Sequence, residues 1–290
     1  MNTLSTAKDL MKDPITVSKD ANVAEALRKI VNKDISRIII TDNDEPVGLV
    51  TERDIGLFLL TEQTDRKIDE IPITEIMNRL VTVNHSASIE DCVQIMVDRE
   101  IGSLGVNFDG KTKGIITRTD LTKYYITNFV GEKRVGDVMT ISFVSCYDDD
   151  PLYDVLSKMI SQRVSRIIVK DHGDKPVGVL SFRDLFRLTM VLGKEEEIVD
   201  NSSGISVLFS RKGLISKTGF GGTAQAKEAM TVNMITVEHD DDLVMACTSL
   251  VENDINGAAV LVNNKLTGVL SKTDVVRAIA AISKKKKDTI

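Results

Sequence analysis

Along the chain, apolar residues recur at two different spacings, and the two alternate in a fixed order. From Val23 the apolar positions fall at Val23, Ala26, Leu27, Ile30 and Val31, the period of a helix with one buried face. Two strand-like runs follow, Arg37 to Thr41 and Pro46 to Val50, and a second helix opens after a glycine-led turn. Ahead of this run lies a short β-type segment holding Thr16, and ahead of that an amphipathic stretch ending in Met11. The predicted unit is a lead segment followed by βαββα.

The same order starts at Ala7, Ile73, Val135 and Ala226. The lead segments end in Met11, Met77, Met139 and Met230, and the first strands carry Thr16, Thr82, Ser145 and Thr236. Each closing helix follows the signature Gly-x-x-[Ser/Thr]-x-x-Asp. Its members are Gly48, Thr51 and Asp54; Gly114, Thr117 and Asp120; Gly178, Ser181 and Asp184; and Gly268, Ser271 and Asp274. The glycines are spaced by 66, 64 and 90 residues, the last interval stretched by residues 191–225. The expected divisions are repeats at 1–60, 73–126, 135–190 and 226–283, a connector at 191–225 and a basic tail at 284–290. One repeat of about 55 residues buries too little surface to stand alone, so pairing side by side, sheet against sheet, is expected.

A finer pattern distinguishes the copies. Repeats one and three share Ser36-Arg37 and Ser165-Arg166, and also Pro46-Val47-Gly48 and Pro176-Val177-Gly178. Repeats two and four carry Gly102-Ser103 and Asn256-Gly257 at the first of these places. Repeat one therefore resembles repeat three more closely than its neighbour, and the ancestral unit was a pair.

The signature allows two readings. Ser/Thr-x-x-acid is a helix capping box, in which hydroxyl and carboxylate satisfy the open amides of the first turn. It also suits a ligand: the glycine admits close approach, the helix N-terminus attracts phosphate, and a carboxylate one turn in accepts both hydroxyls of a ribose. Basic residues surround it. Arg53 and Arg183 directly precede Asp54 and Asp184, while Arg118 and Lys272 directly follow Thr117 and Ser271. Arg37 and Arg166 sit beside apolar strands, where a buried arginine requires an anionic partner, either a ligand or Asp54 and Asp184.

With the four copies in view, the repeat resembles the cystathionine-β-synthase (CBS) domain, and two in tandem resemble the paired CBS module. The resemblance covers nearly the whole chain outside residues 191–225 and the tails. It implies an α/β (α+β) fold of four βαββα repeats paired into two tandem modules. It also implies an adenine nucleotide, AMP, ADP or ATP, as a regulatory ligand in clefts between paired repeats. In such domains the Ser/Thr faces phosphate or ribose, the Asp holds the ribose hydroxyls, and a basic residue at the place of Arg37 and Arg166 points towards phosphates. Thr16 and Ile38, like Ser145 and Ile167, fall where the family forms its adenine pocket, and Thr82 and Thr236 hold the first place in the other two repeats. Repeats one and three match most completely. The expected function is sensing, with a protein partner regulated in trans. An S-adenosylmethionine-type ligand, a ligand-free scaffold and a nucleic-acid-binding protein are the alternatives. The two pairs either face each other within one chain or are completed by a second chain.

Composition narrows the remaining classes. Hydrophobic residues make up 42% and aromatics only 4%, so the cores are aliphatic. The net charge of −6 disfavours nucleic acid and anionic membranes as main partners, with the lysines Lys284 to Lys287 as a local exception. Cys92, Cys146 and Cys247 are far apart and make neither a disulfide framework nor a metal cluster, so no metal is expected. His85, His172 and His239 recur in no catalytic grouping and no P-loop lysine motif exists, so catalysis is not expected. Nothing reads as a signal peptide or a membrane span, and a cytoplasmic setting is expected. In residues 191–225, Val207 to Phe209 read as an edge strand and Arg211-Lys212 as a phosphate contact or partner surface, within what is mainly a connector.

Overall fold

In repeat one the strand Thr16–Ser18 runs parallel to Arg37–Asp42, which folds back antiparallel as Glu45–Thr51. The turn between the last two holds Asn43 and Asp44 at φ 47° and 64°, the paired left-handed geometry that matches strand twist in a tight hairpin. The other repeats pair their strands in the same way: Thr82–Asn84, Ser103–Phe108 and Lys111–Thr117; Ser145–Tyr147, Arg166–Lys170 and Pro176–Ser181; Thr236–Glu238, Gly257–Val262 and Lys265–Ser271. These observations come from a computed structural model that describes residues 5–61, 66–186, 224–232 and 234–288. The connector readings at Val207 to Phe209 and Arg211-Lys212 lie outside the described residues.

Between the first and second strands runs a ten-residue helix: Val23–Asn32, Ile89–Asp98, Leu152–Ser161 and Leu243–Glu252. The predicted apolar stripe is its buried face, with Val23, Ala26, Leu27 and Ile30 fully enclosed. Side-chain caps start three of these helices: Asn22 Oδ1 accepts from the Glu25 amide at 2.9 Å, Ser88 Oγ from the Asp91 amide at 3.1 Å, and Asp242 Oδ1 from the Val244 amide at 2.7 Å. All four stop at a left-handed residue that is not glycine: Asp34, Glu100, Arg163 and Asp254. The closing helices are Glu52–Thr61, Arg118–Asn128 and Lys272–Asp288, with residues 182–186 helical in repeat three.

The chain divides into two compact units, each drawing on alternate repeats. One takes in Ile15–Arg79 and Val144–Met234, the bodies of repeats one and three. The other takes in Met1–Pro14, Leu80–Phe143 and Ile235–Ile290, with the bodies of repeats two and four. Among the described residues each unit has one mainly aliphatic core. In the first, Leu27 and Ile30 share it with Leu156, Met159, Phe182 and Phe186. In the second, the helix Lys272–Asp288 packs on Ile89–Asp98 and Arg118–Asn128. Within each unit the two repeats therefore meet through helices, whereas the sequence suggested sheet against sheet. The alternating kinship of the repeats coincides with which repeats share a core.

The lead segments do not stay with their own repeats. Asn78–Arg79, which opens repeat two, adds a fourth strand to the sheet of repeat one, against Gly48 and Leu49. Thr231–Val232, from the start of repeat four, does the same to repeat three at Gly178 and Val179. Lys12 bridges to Ile115 of repeat two, and Thr140 to Val269 of repeat four. No helix among the described residues is long and apolar enough to cross a membrane.

Candidate functional site

The signature makes the same cap four times. In repeat one, Asp54 Oδ2 accepts from the Thr51 amide at 2.8 Å and from Thr51 Oγ1 at 2.5 Å. Asp120 Oδ2 takes Thr117 at 2.9 and 2.7 Å, Asp184 Oδ2 takes Ser181 at 2.8 and 2.6 Å, and Asp274 Oδ2 takes Ser271 at 2.8 and 2.6 Å. One oxygen of each carboxylate is thus committed to holding the strand-to-helix corner. Only the other, Oδ1, remains for further chemistry.

The signature glycine has a structural partner. A Cβ on Gly114 would lie 2.8 Å from Met11 Sδ, and one on Gly178 only 2.6 Å from Met230 Sδ. On Gly48 it would lie 2.8 Å from the Asn78 carbonyl, with Met77 closer still, and on Gly268 it would meet Met139 Sδ at 3.1 Å. The recurrent methionine and the recurrent glycine are two halves of one contact. The space over Gly48 and Gly178, which the sequence offered to a ligand, is filled by the crossing lead segment.

The residue after that methionine decides what happens at Oδ1. Lys12 Nζ forms an ion pair with Asp120 Oδ1, whose carboxylate is only 3% exposed. Thr231 Oγ1 donates to Asp184 Oδ1 at 2.8 Å, and Thr140 Oγ1 to Asp274 Oδ1 at 3.0 Å, with Arg277 a further 3.6 Å contact on the latter. In repeat one the equivalent residue is Asn78, and its amide turns to the Ile76 carbonyl. No hydrogen bond or ion pair from a described residue reaches Asp54 Oδ1. The four carboxylates are identical in sequence pattern and different in availability.

The basic residues gather around a group that sequence reasoning missed, Glu52. It directly follows Thr51 in the signature of repeat one, and its side chain is 15% exposed. Arg183 Nε donates to Glu52 Oε1 at 2.5 Å, while Arg183 Nη1 donates to Asp34 at 2.7 Å. Arg166 and Arg37 add their fields at Glu52. Burial nonetheless holds the Glu52 carboxyl above its usual range, outweighing the pull of Arg183 and then of Arg166 and Arg37. Glu52 is paired with Arg183, whereas Arg37 and Arg166 act on it through their charge alone. Both arginines open the second strands of their repeats, which brings them to the end where the closing helices begin. Arg53 is half-buried on the same turn. A carboxylate present in only one of four otherwise matching signatures was the available signal.

Repeats two and four have a different centre. Lys272 is buried, and its Nζ donates to Thr119 Oγ1 of the partner repeat at 3.1 Å. Burial, with Arg277 nearby, presses the Arg118 guanidinium below its usual range, and Asp274 opposes this. In both units a cation from one closing helix therefore bonds to the first turn of the other.

Ile38 and Ile167 are enclosed in the aliphatic core, so only their backbone is available to a ligand. Thr16 and Ser145 are half-buried, and their carbonyls accept from Lys29 Nζ at 2.7 Å and Lys158 Nζ at 2.6 Å. Thr82 and Thr236 are exposed. Burial pushes the thiols of Cys92 up to about 11 and of Cys146 and Cys247 up to about 12, consistent with small core residues. Asp148, Asp149 and His172 form a group of metal-ligand type, His172 already 3.0 Å from Asp149.

A relative from Methanocaldococcus jannaschii, an uncharacterized protein, is 24% identical over 283 residues, and the chain spans 96% of itself and 62% of that relative. A stretch of 144 residues, 46% of the chain, is 31% identical to part of an L-aspartate semialdehyde sulfurtransferase of the same organism, covering 28% of that enzyme. Among solved structures, an M. jannaschii protein proposed as an archaeal homologue of g-AMPK superposes with a TM-score of 0.79 at 20% identity, over 95% of this chain and all of that one. The CBS-domain model matches residues 7–59, 73–127, 135–190 and 226–281, and on that ground the chain belongs to the CBS-domain family.

Proposed function

We propose that this chain is a non-catalytic regulatory protein that binds an adenine nucleotide, AMP, ADP or ATP, on its CBS repeats and signals the bound state to a partner protein in trans. The observation that carries the reading is Asp54. Its Oδ2 builds the helix corner, its Oδ1 receives no hydrogen bond or ion pair from a described residue, and Arg37, Arg166 and Arg183 belong to the same unit. A carboxylate acceptor suits a ribose diol, and guanidinium groups suit phosphate. Availability ranks the sites. Asp54 comes first and Asp184, with one hydroxyl on Oδ1, second; Asp120, already neutralised by Lys12, comes last. For such binding to regulate a partner, the ligand must favour one of two conformations over the other.

Isothermal titration of the full chain with AMP, ADP and ATP tests this, with S-adenosylmethionine as a fourth arm. Heat is expected with at least one nucleotide. Asp54→Ala is expected to weaken it at least about tenfold while costing about 1 kcal/mol of stability for the lost cap. Heat with S-adenosylmethionine alone would identify an adenosyl-compound reader. Absence of both heat and thermal shift with all four would leave a scaffold.

A further inference from the structure

The residue after each lead methionine occupies the same backbone seat in all four repeats. Asn78, Lys12, Thr231 and Thr140 lie opposite Leu49, Ile115, Val179 and Val269, in each case the residue that follows the signature glycine. Hydrogen bonds in both directions hold the seat. The Lys12 amide donates to the Ile115 carbonyl at 3.0 Å and the Ile115 amide to the Lys12 carbonyl at 2.9 Å, while Thr140 and Val269 exchange both at 2.9 Å. The main chain therefore delivers four side chains to four matching carboxylates, and only their chemistry differs. Two are hydroxyls on Oδ1, one is an amide turned elsewhere, and one is an ammonium. Asp120 depends on that ammonium. Its Oδ2 belongs to the helix corner, and its Oδ1 is shut off from solvent and accepts no directed hydrogen bond from a described residue, so the charge of Lys12 is what compensates it.

We infer that the residue after the lead methionine decides whether each corner accepts the diol of a ribose, and that Lys12 is a built-in occupant that closes repeat two to it. The inference rests on the nucleotide reading above and adds a specificity-determining position to it. A ligand hydroxyl seeking Asp120 Oδ1 has to displace a cation with a neutral donor, a poorer partner for a carboxylate out of water. At Asp184 and Asp274 it exchanges one hydroxyl for another, and at Asp54 it displaces no side chain among the described residues. Because the main chain sets the seat, the lysine of Asn78→Lys reaches Asp54 as Lys12 reaches Asp120. Asn78 is exposed, so the longer side chain has room.

The test is isothermal titration of the full chain with AMP and ATP and with their 2′-deoxy counterparts, which lack one hydroxyl of the diol. The proteins are the wild type, Asn78→Lys, Asn78→Met and Lys12→Asn, each checked for folding by thermal melting. The wild type is expected to prefer the ribose form. Asn78→Lys is expected to weaken that form about tenfold or more and to abolish the preference, whereas Asn78→Met, with similar bulk and no charge, keeps it. A lysine that merely attracted phosphate would strengthen both forms alike. Lys12→Asn is expected to add a site that prefers the ribose form. An unchanged preference in folded Asn78→Lys, or no added site in folded Lys12→Asn, overturns the inference and leaves nucleotide binding standing. If Lys12→Asn does not fold, Asn78→Lys decides alone. Wild-type binding that ignores the 2′-hydroxyl overturns it too, and leaves the adenine reading. A site that appears only in Lys12→Asn supports Lys12 as occupant and removes the reading of Asp54. No binding by any of the proteins removes both.

Discussion

Tyr125 is fully enclosed in the core of repeats two and four, stacked on Phe129 with ring centroids 5.2 Å apart, and its hydroxyl makes no hydrogen bond with a described residue. A buried hydroxyl without a partner loses its hydration and gains nothing in return. Tyr125→Phe is therefore expected to be neutral or to stabilise by about 1 kcal/mol, read from urea unfolding midpoints. A loss beyond about 1 kcal/mol would mean that the hydroxyl has a polar role. Single residues of this kind were poorly legible in the sequence. Asp54 and Asp184 stood out because a linear motif repeats them, and Arg37 and Arg166 because two repeats agree. Glu52 is peculiar to one repeat, and its meaning depends on Arg183, which is 131 residues away.

At the scale of elements, the contact between closing helices shows how a local preference loses to packing. Gly56 lies within the helix Glu52–Thr61, where alanine would ordinarily gain about 1 kcal/mol. A Cβ there would lie 2.7 Å from Phe182 Cε1, with Cδ1 nearer still, and Phe182 is only 2% exposed, so the ring has little room to yield. Gly56→Ala is expected to lower stability by about 1–2 kcal/mol net of the helical gain, seen as a lower Tm. An unchanged or higher Tm would show that the ring moves aside. The strands, helices and signatures could be read from periodicity because each depends on residues close in sequence. The lead segments could not: both Met77 and Gly48 are visible as repeated letters, but their contact joins different copies.

For the whole molecule, the ionisation of Glu52 ties stability to pH. Its folded-state pKa is raised above the ordinary value of 4.5, chiefly by burial and in spite of Arg183, Arg166 and Arg37. Between the two values the folded chain holds a proton that the unfolded chain has released, so stability falls as pH rises through that window and levels off above it. Glu52→Gln removes this slope. Urea melts of both proteins from pH 4.5 upward are expected to show the wild type losing ground to the variant before the difference becomes constant. A difference moving in favour of the wild type would mean that the arginines outweigh burial. The four-fold repetition of the chain was legible from end to end, and so was the kinship of alternate repeats. Their joining through helices was not, because periodicity marks a buried face without naming what covers it.

The crossing lead segments bear on descent. A gene encoding one repeat would yield a methionine with no glycine to cover and a glycine with no methionine over it. A consecutive pair closes both contacts but holds only half of each aliphatic core, since repeat one shares its core with three and repeat two with four. An ancestor with one pair per chain would have buried those faces by self-association of two identical chains. In a chain that joins two such pairs the halves need not be identical, so an acid such as Glu52 can stand at one corner without appearing at the other, where Phe182 stands.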